Sequence, residues 1–303
     1  MKNSVKITLI VAAVLVGLGL CLATAGFCLG GRFSDLRNLH FDPATGQWTQ
    51  VPAREPATDD YYTGGDYISD KTDVTVLDID WITGDVKILL TDDDTITVAE
   101  KVGYNGYNAH PMVVTDDNGA LRIRCADETW MSAIDPPEKE LTVYLPHAVA
   151  ENLTEVRLLS VSADFEVDAL TVRDAFSFSS TSGDLKTAVI TADAAAVELS
   201  TVSGEIEWDG SFAQLTGGST SGEMDLALRN SPQKLDIVTV SGDVELKLRS
   251  STNFWLDYNT VSGDLESETD LQQRDGHYYR GLTMGCEMTV TTTSGGLTIE
   301  ELR

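Results

Sequence analysis

Six carboxylates occupy one position of a short repeated motif: Asp164, Asp184, Glu205, Glu223, Asp243 and Asp264. Each follows a Ser-Gly pair, or Ser-Ala before Asp164, and Ser294-Gly295-Gly296 closes the series without an acid. Successive serines lie 20, 21, 18, 20, 21 and 32 residues apart. Units stacked at that period place equivalent residues about 4.8 Å apart, so the acids form a row. Neighbouring charges at that separation in water repel by about 0.9 kcal/mol, which a solvated edge tolerates. A row of oxygen donors is also chemistry for Ca²⁺, a hard cation that takes six to eight oxygens. Asp184, Glu205, Glu223, Asp243 and Asp264 are therefore the candidate calcium ligands, set against a reading in which the motif only turns the chain. No other metal site and no organic cofactor is indicated.

The residues around the motif favour the turn. The position before each Ser is β-branched: Val161, Thr181, Val202, Thr220, Val240, Val261 and Thr293. Two before it stands Ser or Thr: Ser160, Ser180, Thr201, Ser219, Thr239, Thr260 and Thr292. Three after it is apolar: Phe165, Leu185, Ile206, Met224, Val244, Leu265 and Leu297. Four before it is apolar as well, except at Gly217. Period-two alternation on both sides of a glycine describes strand, tight corner, strand. The glycine is expected to supply backbone angles that a Cβ would disfavour. A fixed period near twenty residues marks a solenoid. The Ser/Thr positions are expected to form a hydroxyl ladder along the stack. The predicted fold is all-β, a parallel β-solenoid, right-handed by the general preference of parallel crossovers.

Residues 71–157 carry a weaker version of the pattern and are expected to open the solenoid irregularly; the regular repeats fill 158–303. Thr83-Gly84-Asp85 echoes the corner, with Trp81 where Ser or Thr is expected. Val113 to Arg124 reads as two strands around an Asn118-Gly119 turn. Leu141 to Pro146 is a strand stopped by proline. Helix is nearly absent beyond residue 35, since Ala188 to Val197 is too rich in β-branched residues.

No charged residue lies between Lys6 and Arg32. Residues 7–30 are long enough for a transmembrane helix. Lys2 and Lys6 place residues 1–6 in the cytoplasm and the body outside. Cleavage near Ala25, which would release a secreted body, is the alternative. Residues 31–70 are polar, with Pro43, Pro52, Pro56 and Gly64-Gly65, and read as a stalk. Cys125 and Cys286 lie outside the apolar run, and either a disulfide between them or two buried thiols fits the sequence.

The net charge of −27 excludes nucleic acid as a partner, because phosphate binding requires positive charge. The four histidines (His40, His110, His147, His277) have no zinc-site spacing. There is no nucleophile elbow and no phosphate loop. The recurring serines are unlike a catalytic nucleophile, which is singular and paired with a base. Lys186, Arg229, Lys247 and Arg249 form no cluster by spacing, so the polysaccharide-active enzymes that use parallel β-helices are the weakest reading. The chain reads as a non-enzyme.

The repeated Val/Thr-Ser-Gly-Asp/Glu-apolar unit, the strand Leu141 to Pro146, and an apolar amino terminus followed by Arg32-Phe33-Ser34-Asp35-Leu36 together resemble the bacterial β-strand-repeat "putative adhesin" family, a domain of unknown function. The likeness covers 74–303 and the amino-terminal run. It implies a β-solenoid on the outer face of a bacterial, Gram-positive membrane, and it assigns no binding residue. Two functions stay open. One is a surface protein that acts by binding or as a scaffold, with a protein or cell-wall glycan as partner. The other is an accessory of envelope-stress signalling.

Overall fold

The computed structural model describes residues 39–42, 47–50, 61–63, 66–102, 111–125, 139–281 and 285–302. The expected transmembrane helix over 7–30 lies outside the described residues, and among those described no helix is long and apolar enough to cross a membrane. The chain divides into two units, Met1–Asp59 and Asp60–Arg303. In the first, Leu39–Asp42 pairs antiparallel with Gln47–Gln50.

The second unit is the expected stack of parallel coils. Each coil gives one strand to a first sheet, turns at its Ser-Gly corner, and gives a second strand to a second sheet. In the first sheet the order is 120–124, 76–80, 155–159, 175–179, 196–201, 214–219, 234–239, 286–292, 254–260. In the second it is 141–146, 86–91, 165–167, 185–190, 206–210, 224–228, 244–248, 297–301, 265–267. Burial alternates along almost every strand, so the apolar positions read from the sequence meet between the two sheets. Phe176 packs edge-on against Trp208, with ring centroids 4.9 Å apart. Gly217 breaks the apolar stripe because Met224 fills its place; a Cβ there would lie 2.8 Å from the Met224 methyl.

One feature of the order runs against the sequence. The last coil, 286–301, is not the outermost one. It lies between the coils of 234–248 and 254–267. The 32-residue gap before Ser294 is the trace of this detour. It holds the antiparallel pair Gln272–Arg274 and His277–Arg280, which pairs with Phe254, Trp255 and Leu256. The turn between those strands is Asp275-Gly276, both with positive φ.

The opening end is closed by antiparallel strands. Ile96–Val102 pairs with Lys139–Pro146, and Val113–Asp117 with Ala120–Arg124 through Asn118-Gly119, again both at positive φ. Tyr61–Thr63 and Tyr67–Ser69, inside the stretch read as stalk, pair with Val113–Asp117 and Ile96–Val102. Trp81 stands at the Ser/Thr position of the first corner, where its indole N–H donates to the Lys139 carbonyl at 3.0 Å. The described chain has one short helix, His147–Ala150, after the Pro146 stop.

Cys125 and Cys286 are free and buried, one at each end of the stack, so the disulfide is not formed. Burial pushes their thiols up, to about 11 and about 12 respectively.

Candidate functional site

The corner is the repeated polar feature, and three kinds of hydrogen bond build it. The first lies within a corner. Ser160, Ser180, Thr201, Ser219 and Thr260 each accept, on the side-chain oxygen, the N–H of the residue three further on, at 2.7 to 2.9 Å. Thr239 and Thr292 donate instead to the carbonyls of Gly242 and Gly295, at 2.8 and 2.9 Å. These hydroxyls are buried, apart from Thr260 in the outermost coil. The expected ladder of hydroxyl to hydroxyl is therefore not the main pattern; only Ser180 reaches Ser160, at 3.4 Å. A side chain this short meets a donor in its own turn more closely than a neighbour one coil away.

The second kind joins successive coils. The Ser of every corner donates its hydroxyl to the carbonyl of the β-branched residue beneath it. Ser162 reaches Ile82, Ser182 reaches Val161, Ser203 reaches Thr181 and Ser221 reaches Val202, at 3.3 to 3.4 Å. Ser241, Ser262 and Ser294 do the same to Thr220, Thr293 and Val240, at 3.2 to 3.4 Å. From Ser182 onward the backbone N–H of the same Ser points to the same carbonyl. The glycine allows this approach. A Cβ on Gly183, Gly204, Gly222, Gly242, Gly263 or Gly295 would lie 1.8 to 2.1 Å from a carbonyl oxygen of the adjoining corner. None of these six has a left-handed φ; among the corner glycines only Gly84 does, at +96°. Close approach, not unusual backbone angles, requires glycine here.

The third kind involves the acids. Asp164 Oδ1 accepts the Asp184 N–H at 2.9 Å, Asp184 Oδ1 the Glu205 N–H at 2.7 Å, and Asp243 Oδ1 the Gly296 N–H at 2.6 Å. The five calcium candidates do fall in one exposed column, broken by Gly296 between Asp243 and Asp264. Among the described residues no group of three or more His, Cys, Asp or Glu side chains is gathered as a metal site. Crowding of like charge shows at Glu205, whose carboxyl is raised by partial burial first and then by Glu207, Glu223, Asp184 and Asp225.

Beside the column, the outer face of the second sheet is crossed by ion pairs between coils. Lys87 meets Glu166 at 3.2 Å, Lys186 meets Glu207, Arg229 meets Asp209 at 2.5 Å, and Lys247 meets Asp225 at 2.7 Å. Three of the four basic residues singled out in the sequence are thus spent on neighbouring acids. The fourth, Arg249, lends its carbonyl to Arg280. A shallow groove of about 350 Å³ runs here, lined by Asp164, Glu166, Asp184, Lys186, Glu205 and Glu207, among others.

The outer face of the first sheet differs. Its columns read Ser177, Glu198, Thr216, Asp236, Thr289 and Ser179, Ser200, Gly218, Val238, Thr291 along the stack. Val238 is 54% exposed on it. At the end of this face Trp255 and Tyr279 stack, with centroids 5.7 Å apart, beside a His277–Asp257 pair. Sequence reading missed that cluster. The Asp275-Gly276 dipeptide between two polar strands was the available signal.

A second missed feature closes the opening end. Lys139 and Glu100, with side chains 0% and 3% exposed, pair at 2.7 Å. The Lys139 ammonium also donates to the Cys125 carbonyl at 2.7 Å and lies 5.9 Å from the Trp81 ring.

No curated protein matches the sequence. The solved structures that match include the following. A putative cell adhesion protein from Clostridium sporogenes is 12% identical, with 78% of this chain and 99% of that one covered and a TM-score of 0.34. A putative adhesin from Bacteroides fragilis is 11% identical, with 81% and 98% covered and a TM-score of 0.42. A putative lipid binding protein from Parabacteroides distasonis is 13% identical, with 81% and 98% covered and a TM-score of 0.38. The Toastrack DUF4097 family model matches residues 74–215 and again 152–300, which together span the coils, and the chain belongs to that family.

Proposed function

We propose that this is a membrane-anchored protein of adhesin type whose body, held outside the cell by residues 7–30, acts by binding or as a surface scaffold. The observation that carries this reading is the fate of the repeated polar groups. Corner hydroxyls, and the carboxylates of Asp164, Asp184 and Asp243, are consumed in holding coil to coil. A nucleophile or acid–base pair needs free, converging groups. What the coil presents instead is two broad, stiff faces, one crossed by ion pairs and one on which small neutral side chains run beside the acids Glu198 and Asp236. The uncharged column of Ser200, Gly218, Val238 and Thr291, with Thr216 beside it, is the binding strip in this reading, since the column itself carries no charge to desolvate.

The test uses the full-length protein, immobilised and challenged with soluble cell-wall polymer. Retention of polymer that falls in T216K and V238K variants of unchanged stability is expected. Equal retention by those variants, or none by the parent, refutes the assignment of this face. Release of shortened polymer would overturn the non-enzymatic reading. Protease treatment of intact cells checks the topology, with digestion of the body expected.

A further inference from the structure

The intercalated last coil carries an inference about how the carboxy-terminal end works. The connectors 229–233 and 249–253 are equally long, five residues each. The first climbs one coil, from 224–228 to 234–239. The second climbs two, because 286–292 lies between 234–239 and 254–260. The spacing from Ser241 to Ser262 is 21 residues, within the regular period. A connector of this length and a spacing within the period would equally let the coil of Ser262 sit directly on the coil of Ser241, and its bonding groups suit either neighbour. Ser262 now donates its N–H and hydroxyl to the Thr293 carbonyl. Ser294 gives the same pair of bonds to the Val240 carbonyl. Gly263 lies against the Gly295 carbonyl just as Gly295 lies against that of Gly242.

The side chains of the insert suggest what holds it in place. Thr289 lies between Asp236 and Asp257. Thr298 lies between Glu245 and Glu266. Gly296 lies between Asp243 and Asp264. At three positions where the flanking coils both carry an acid, the inserted coil carries a neutral residue. Without it, three pairs of like charges would come to one coil spacing, about 4.8 Å instead of about 9.6 Å.

We propose that Gly285–Leu302 is an exchangeable coil: it can leave its slot, and the coil of 254–267 then closes in register onto that of 234–248. Like-charge repulsion across the slot opposes closure and keeps the insert seated. The released segment retains its strand–Ser-Gly–strand pattern.

Cysteine pairs in the full chain read the two states. Val238 and Asn259 both flank Thr291 on the outer face. In the structure described, V238C can bridge to T291C but not to N259C, two coils away; a disulfide needs Cα atoms within about 7 Å. A Gly295→Val substitution places a Cβ 2.1 Å from the Gly242 carbonyl and evicts the insert. On oxidation, G295V is expected to lose the V238C–T291C bond and gain the V238C–N259C bond. A second variant leaves Gly295 intact and removes the repulsion through D257N, D264N and E266Q; it should form the V238C–N259C bond faster than the parent. Absence of that bond in both backgrounds overturns the proposal, whether or not G295V folds.

Discussion

Gly222→Ala tests the claim that close approach is what the corner glycine supplies. The added Cβ would stand 1.8 Å from the Gly204 carbonyl oxygen and 2.8 Å from its carbon, both backbone atoms that cannot rotate away. Restoring a contact of 3.0 Å requires the two corners to part by more than 1 Å. Three bonds cross that junction: Ser221 N–H to Val202 O at 2.9 Å, Ser221 hydroxyl to the same oxygen at 3.3 Å, and Ile206 N–H to Glu223 O at 3.0 Å. Lengthened by that amount they fall outside hydrogen-bonding range. At about 1 kcal/mol net for each bond, and more where a buried donor is left unmade, the substitution costs about 3–5 kcal/mol. Gly218→Ala is the matched control, since its Cβ would meet only the Val238 carbonyl, at 3.8 Å. It is expected to shift stability by less than about 0.5 kcal/mol. Urea unfolding of the full-length protein, followed by fluorescence of the buried Trp81 and Trp208, measures both. If G222A lies within about 1 kcal/mol of G218A, the coils can separate without loss and the close-approach account is wrong.

Three further outcomes follow from the same geometry. Ser219→Ala leaves the Gly222 N–H without its buried acceptor and is expected to cost about 1–3 kcal/mol, whereas Ser221→Ala, which loses an exposed bond of 3.3 Å, costs less than about 1 kcal/mol. Glu205 binds protons more readily folded than unfolded, so its contribution is fully present at low pH and is lost as pH rises through the raised folded value. Glu205→Gln should therefore raise the urea midpoint at pH 7 and flatten its pH dependence above the ordinary glutamate range; an unchanged profile contradicts the crowding. Cys125 and Cys286, pushed up to about 11 and about 12, should resist iodoacetamide at pH 8 until the protein is unfolded, as read by peptide mass mapping.

The fold was legible because its determinants are local and repeated. Period-two alternation around Ser-Gly placed the strands, and the β-branched and apolar positions placed the core without any long-range information. The order of the last coils was not legible, because Ser262 and Ser294 present equivalent corners, and either could bond to the edge of the coil of Ser241. Residues that act through a non-local partner escaped for the same reason. Nothing in the local sequence pairs Lys139 with Glu100, or His277 with Asp257. The role of glycine was misassigned on similar grounds. A strained φ is a property of one residue, whereas a Cβ 1.8 Å from a carbonyl is a property of two coils.

The acidic column gains a different meaning from these contacts. Aspartate and glutamate both occur in it as if interchangeable, yet their hydrogen bonds separate them. The aspartates at 164, 184 and 243 are short enough to turn back on the adjoining coil and accept its N–H at 2.6 to 2.9 Å. Glu205 instead carries a carboxyl made harder to ionise by its neighbours. Aspartate thus joins coils, while glutamate at the same position supplies charge to the surface. If that division is right, Asp184→Glu should destabilise the stack although it preserves every charge, and Glu205→Asp should stabilise it. The two reciprocal substitutions conserve composition between them, so a net-charge account predicts no change in either. Opposite shifts in urea midpoint would establish the column as a bonded ladder, and equal shifts would return it to a simple row of charges.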